Sequence, residues 1–220
     1  MSAIGEPRTA RSRRTRQALL DQARELIETE GFASLTMAAV ADRAGVSHRA
    51  VYLHFASRGE LLGTLVRSFG ETERLAESLA AVWAAPDAET ALTEWARHIG
   101  RAHPRILAVA RALEHDRRTD ADAAEVWQRI MSGWSAGSRR LADWLDREGR
   151  LAPPWTPQLA ADMIWALMSW DFLERLTVDR EWSSGQFGDY FALLVARTFL
   201  DDGPASGSAA PGSADAAPAC

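Results

Sequence analysis

Residues 36–55 read TMAAVADRAGVSHRAVYLHF, and this stretch decides the fold. Val40, Ala41 and Ala44 set small apolar groups on one side of a first short helix. Gly45 supplies the backbone freedom for a sharp turn. Val46, Val51 and Phe55 return to the same core. Ser47, His48, Arg49, Tyr52 and His54 remain facing outward. Two short helices joined by a tight glycine turn, the second with a polar, basic and aromatic outer face, predict a helix-turn-helix. Its outer groups are donors and rings of the kind that reach base edges and phosphate oxygens from a major groove about 12 Å wide.

The flanks extend the pattern. Leu19, Ala23, Leu26, Ile27 and Phe32 recur at helical spacing, predicting a helix from about Arg16 to Glu30 that Gly31 ends. Ser57 and Glu60 stand in the S-x-x-E relation of a capping box ahead of Leu61, Leu62, Leu65, Val66 and Phe69, so a longer helix should start at about Arg58. Three helices followed by a long one resemble the tetracycline-repressor-like (TetR) family of bacterial transcriptional regulators. The residues that carry the resemblance are Gly31-Phe32, Leu35-Thr36, Val40-Ala41, Ala44 to Ser47, Val51-Tyr52, His54-Phe55, Ser57 and Leu61-Leu62. It covers about the first quarter of the chain. The family usually has lysine where Arg58 stands, and arginine keeps the charge while allowing a forked phosphate contact. The resemblance implies that Thr36, Ser47, Tyr52, His54 and Arg58 hold phosphates, while His48 and Arg49 read bases. It also implies a homodimer built from the last two long helices, acting on a palindromic operator of double-stranded DNA.

Charge is distributed accordingly. The 220-residue chain carries a net charge of -5, an unpromising balance for DNA until it is divided. Residues 1–60 hold nine Arg against seven acids, and residues 61–220 hold sixteen against twenty-three. The first sixteen residues contain Arg8, Arg11, Arg13, Arg14 and Arg16 against Glu6 alone. We therefore expect a basic N-terminal arm over residues 1–15, with Arg14 among its DNA contacts through counterion release. The helix-turn-helix domain would occupy residues 16–60 and a helical ligand-binding and dimerisation domain residues 61–200. Residues 201–220, rich in Gly, Ser, Ala and Pro, have too little apolar surface to repay ordering and read as a disordered tail. No signal-peptide pattern and no apolar run of about 18 residues occurs, which predicts a cytoplasmic protein without membrane contact. The one cysteine, Cys220, excludes an intrachain disulfide and a cysteine-based metal site.

Beyond residue 58 the expectation is wholly α-helical. Helices are predicted at about Gly59–Ala84, Ala88–His103, Pro104–His115, Asp122–Glu148, Pro157–Thr177 and Gly185–Leu200, with Pro104 taken as a break. All nine tryptophans lie beyond residue 80. Packed core explains any single one of them, but indoles and methionines around a cavity also suit a flat, greasy molecule. Trp95, His98, Trp127, Met131, Trp134, Trp165, Met168 and Phe172 are the candidate lining, for a small hydrophobic or aromatic effector. In the penultimate helix, Trp165, Met168, Phe172 and Leu176 fall on one face and Met163, Leu167 and Trp170 roughly opposite, so one face should meet the bundle and the other a symmetry mate.

His98, His103 and His115 lack the spacing of metal ligands, and no phosphate-cradling glycine loop, nucleophile elbow or paired-carboxylate motif occurs. No metal, cofactor or enzymatic activity is expected. The reading is a ligand-responsive repressor. A DNA-binding regulator without a small-molecule ligand shares the same motif, and an all-helical hydrophobe carrier or enzyme would require the first sixty residues to be incidental.

Overall fold

A computed structural model describes residues 9–70 and 73–201. The expected disordered tail from residue 202 and the first eight residues of the expected arm lie outside them. The described chain is all α-helical apart from a short 3-10 turn and a single antiparallel bridge between Leu151 and Leu200. Its helices are α1 (Ala10–Glu30), α2 (Met37–Arg43), α3 (His48–Tyr52), α4 (Arg58–Gly70), α5 (Glu73–Trp83), α6 (Ala88–Asp116), α7 (Ala121–Arg147), α8 (Pro157–Leu167), α9 (Trp170–Thr177) and α10 (Ser184–Phe199).

Side-chain caps place most of the helix starts. Thr9 Oγ1 accepts from Ser12 N at 3.1 Å, which starts α1 six residues before the apolar periodicity does. Residues 10–15 of the expected arm are therefore helix. Thr36 and Ser47 cap α2 and α3 in the same way, accepting from Ala39 N at 3.0 Å and Ala50 N at 3.2 Å. Ser57 accepts from Glu60 N at 3.1 Å, and Glu60 reaches back to Ala56 N at 2.7 Å, one residue beyond the usual capping-box partner. Between α2 and α3, Gly45 adopts φ 64°. Its N–H bonds to Asp42 O at 3.2 Å, and that of Val46 to Ala41 O at 3.0 Å. This is a Schellman closure, and it needs a residue that tolerates the left-handed region.

One core runs from Leu19, Leu26, Phe32, Val40, Val51 and Phe55 through Leu61, Leu62 and Leu65 into the second half of the chain. The axis of that half is α6, about 43 Å long at 1.5 Å per residue; it packs against α5, α7, α9 and α10 and reaches α1 and α4. Pro104 lies inside this helix, so the predicted break there does not occur. The missing N–H leaves the Gly100 carbonyl without its helical donor, a cost of about 3 kcal/mol. Burial of Ala96, Ile99 and His103 on one side and Val109, Ala110 and Leu113 on the other holds the two halves in line.

A second correction concerns Pro157–Thr177. The helix stops at Leu167, and Ser169 takes an extended ψ of 134° before Trp170 opens α9. Neither proline nor glycine marks the break. It turns the Trp170 ring into the core, where large apolar burial outweighs the continuity of one helical turn. The two faces projected for a single helix are consequently not those observed. Met163 and Trp165 are exposed, and Met168 and Trp170 are buried.

Candidate DNA-binding surface and ligand clefts

The five-residue α3 buries Val51 and leaves His48, Arg49 and Tyr52 in solvent. His48 and Tyr52, one turn apart, meet edge to face with ring centroids at 5.3 Å and an interplanar angle of 89°. Leu53, absent from the expected set, is 66% exposed at the end of α3. Thr36 and Ser47 are exposed, but their hydroxyl oxygens already accept from the first turns of α2 and α3. His54 is half-buried; burial, with Arg16 beside it, lowers its pKa from the ordinary value. Arg16 donates to the His54 carbonyl and lies over the Phe55 ring at 4.3 Å, fastening α1 to the end of α3. Arg14 is exposed on the first turns of α1.

Arg58 is the exception to this outward arrangement. Its guanidinium lies 4.4 Å from the Phe32 ring centroid, and its Nη1 donates to Asp120 Oδ2 at 2.6 Å, with Asp122 Oδ2 at 3.7 Å. The Nε is buried and has no partner among the described residues. Asp120 is the N-cap of α7, its Oδ1 accepting from Ala123 N at 2.9 Å. Burial is the largest influence on the Asp120 carboxyl and raises its pKa, but the Arg58 hydrogen bond, the Ala123 N–H, the Arg58 charge and the Asp122 N–H together outweigh it and lower the pKa. One carboxylate thus caps α7 with one oxygen and holds the start of α4 with the other. Arg58 and Asp120 also border a cleft of about 520 Å³ whose opposite wall includes Thr36, His48 and Tyr52. Sequence reasoning missed Asp120 as a partner because 62 residues separate it from Arg58.

The candidate effector residues do not form one cavity. Trp95, His98, Trp134 and Met168 line a cleft of about 460 Å³ between α5, α6 and α7. Trp127, Met131, Trp134 and Trp165 line a second, of about 420 Å³, toward α8 and α9. Trp134 belongs to both. Phe172 lines neither, and instead packs on Phe187 and Phe191 at 5.7 and 5.9 Å. Trp83 and Arg140, not anticipated, border the first cleft, the guanidinium 4.0 Å above the indole. Trp170 borders the second. Gly133 and Gly137 face the first cleft from the middle of α7, and nothing lies within 4 Å of where a Cβ would stand on either.

His98 Nδ1 lies 3.0 Å from Ser78 Oγ, and burial together with the Arg101 charge lowers its pKa to about 4. His103 is 2% exposed, and burial, with His98 nearby, lowers its pKa to about 3. Both rings are neutral at pH 7. No three His, Cys, Asp or Glu side chains among the described residues are grouped to hold a metal ion. Among the same residues, no helix is long and apolar enough to cross a membrane.

Residues 19–65 match the family described as bacterial regulatory proteins, tetR family. No curated protein matches the chain in sequence. Solved structures share its fold, over nearly their whole length. NalD, the secondary repressor of the MexAB-OprM multidrug efflux pump in Pseudomonas aeruginosa, is 21% identical with a TM-score of 0.67, covering 88% of this chain and 100% of its own. The ketosteroid transcriptional regulator KstR2 of Mycobacterium tuberculosis is 17% identical with a TM-score of 0.63, covering 90% and 100%. The fatty acid degradation regulator FadR from Bacillus halodurans is 16% identical with a TM-score of 0.66, covering 82% and 94%. At such identities the likeness establishes a shared fold.

Proposed function

We propose, from the match of residues 19–65 to the family described as bacterial regulatory proteins, tetR family, that the chain is a homodimeric repressor released from a palindromic operator by a hydrophobic or aromatic small molecule. The observation that carries this reading is the exposed α3, with His48, Arg49 and Tyr52 in solvent, joined through α4 to a bundle holding two tryptophan-lined clefts. His48 and Arg49 read base edges. Thr36, Ser47, Tyr52 and His54 contact phosphates, and Arg14 adds to them from α1. Arg58 joins them when it leaves Asp120. Residues 16–60 act as the reading unit and residues 61–200 as the effector and dimer unit.

Dimerisation is supported by exposed apolar side chains on two helices: Leu159, Met163 and Trp165 of α8, and Tyr190, Leu193 and Leu194 of α10. A two-fold pair formed there places two α3 helices on successive major grooves about 34 to 36 Å apart. A hydrophobic effector is supported by the lining of the clefts, whose volumes lie in the range of small-molecule sites. The solved neighbours, a repressor of a multidrug efflux pump, a ketosteroid transcriptional regulator and a fatty acid degradation regulator, accord with it. The test is selection of bound duplexes from a random library, followed by titration of the selected duplex with a panel of aromatic compounds. An inverted repeat bound by two chains, and a half-saturation point that at least one compound shifts 5- to 150-fold, are expected. Selection of no sequence refutes the regulator, and a half-saturation point unmoved by every compound refutes effector control.

A further inference from the structure

Between the two clefts stand three rings in mutual contact. His103 and Trp134 have centroids 4.6 Å apart, His103 and Trp170 4.6 Å, and Trp134 and Trp170 4.7 Å. His103 is 2% exposed and Trp170 4% exposed. The His103 Nε2 and the Trp170 Nε1 are both buried without a hydrogen-bond partner among the described residues. Two unmade hydrogen bonds in one aromatic cluster are a standing cost of the fold. Trp134, partly buried, is the wall that borders both clefts, and Trp170 lies on the second.

We infer that the effector is a flat aromatic compound bearing a hydroxyl group, which enters by displacing the Trp134 ring and is held through that hydroxyl by Trp170 Nε1 and His103 Nε2. This assignment rests on the ligand-responsive reading above and narrows it. An indole N–H can only donate, so Trp170 requires an acceptor. His103 is neutral, so one of its ring nitrogens accepts; with the proton on Nδ1 that nitrogen is Nε2. A hydroxyl is the smallest neutral group that accepts from the first and donates to the second. An ether satisfies only Trp170, a carboxylate has no proton to offer His103 at neutral pH, and a hydrocarbon satisfies neither. Trp127, Trp165 and Met131 on the second cleft supply flat and polarizable surface for the aromatic body.

The test uses the full chain and three probes of one shape: 2-naphthol, 2-methoxynaphthalene and naphthalene, titrated by calorimetry. The naphthol should bind at least tenfold more tightly than the methoxy compound, and the methoxy compound more tightly than naphthalene. His103→Phe should erase the preference for naphthol over methoxynaphthalene, and Trp170→Phe the preference for methoxynaphthalene over naphthalene. Trp134→Ala, which removes the wall, should speed naphthol association without reversing the order. Equal affinity for the three probes, no binding of any, or an order preserved in both ring variants overturns the inference. Those outcomes leave the wider reading standing as long as some other compound, such as a carboxylate, still shifts the half-saturation point of the selected duplex. That reading fails only when no compound does.

Discussion

Arg58 Nη1 and Asp120 Oδ2 lie 2.6 Å apart, an ion pair that joins the first turn of α4 to the N-cap of α7. In the proposed phosphate role Arg58 would have to turn this Nη1 donor from the carboxylate to the phosphate, so Asp120 would compete with DNA and any movement of α7 relative to α4 would alter how readily Arg58 is released.

Substitutions at the two residues should consequently act in opposite directions. Asp120→Ser keeps a helix cap but removes the competing charge, and should raise affinity for all duplexes several-fold. Arg58→Ala should weaken all sequences alike and flatten the dependence of log K on log salt by about one unit. Fluorescence anisotropy at several salt concentrations reads both effects. An unchanged affinity in Asp120→Ser would mean that the pair is structural only.

Arg49 is exposed on α3 and forms no ion pair with any described residue. Arg49→Ala should cost roughly 1 to 3 kcal/mol at one base position and leave binding to duplexes altered at that position almost unchanged. A uniform loss over every substituted duplex would assign Arg49 to phosphate.

On α6, Gly100 and Pro104 predict opposite changes in stability. A Cβ on Gly100 would stand 2.8 Å from Ser184 O and 2.9 Å from both Gly188 N and Cα, all of it backbone. Gly100→Ala must part α6 from α10 and should lower stability by about 1 to 3 kcal/mol. Pro104→Ala restores a donor to the Gly100 carbonyl and should raise it, by up to about 3 kcal/mol. Urea titrations followed by circular dichroism would measure the two.

Acid should destabilise the fold in a window set by histidines. His98 and His103 are neutral in the fold, with pKa values lowered from 6.5 to about 4 and about 3. The unfolded chain takes up these protons below its own pKa of 6.5 and the folded chain does not, so stability falls as pH drops through 6.5 toward 4 and 3. Each ring contributes about 1.4 kcal/mol per pH unit well inside its window, and His54, also lowered, acts in the same direction. Between pH 6.5 and 5 the double variant His98→Gln/His103→Phe should have a visibly shallower slope than the parent. Identical slopes would mean that the rings are protonated in the fold.

The exposed apolar side chains of α8 and α10 give a test of the proposed dimer. Met163→Glu with Leu194→Glu should give a monomer in sedimentation with unchanged helical content, and should abolish tight binding to an inverted repeat. A dimer surviving both charges would place the seam elsewhere.

Local chemistry was legible in the residues themselves. The turn at Gly45, the cap at Ser57, and the outward His48, Arg49 and Tyr52 of α3 depend on neighbours within five positions, so spacing alone determined them. The all-helical character of residues 58–200 likewise followed from periodicity. Continuity of the long helices was another matter. Pro104 sits inside α6 although its chemistry favours a break, and α8 ends before Ser169 although nothing in the local sequence asks for it. In both places, contacts with other helices overrode propensity. The burial of α6 on both sides of Pro104 along the chain bridged the proline, and the packing of Trp170 on His103 and Trp134 broke the second helix. For the same reason, tertiary structure alone set six of the nine tryptophans around two clefts, exposed Trp165, and placed Arg58 on Asp120. Such placements are energies between residues far apart in the chain, and no local pattern carries them.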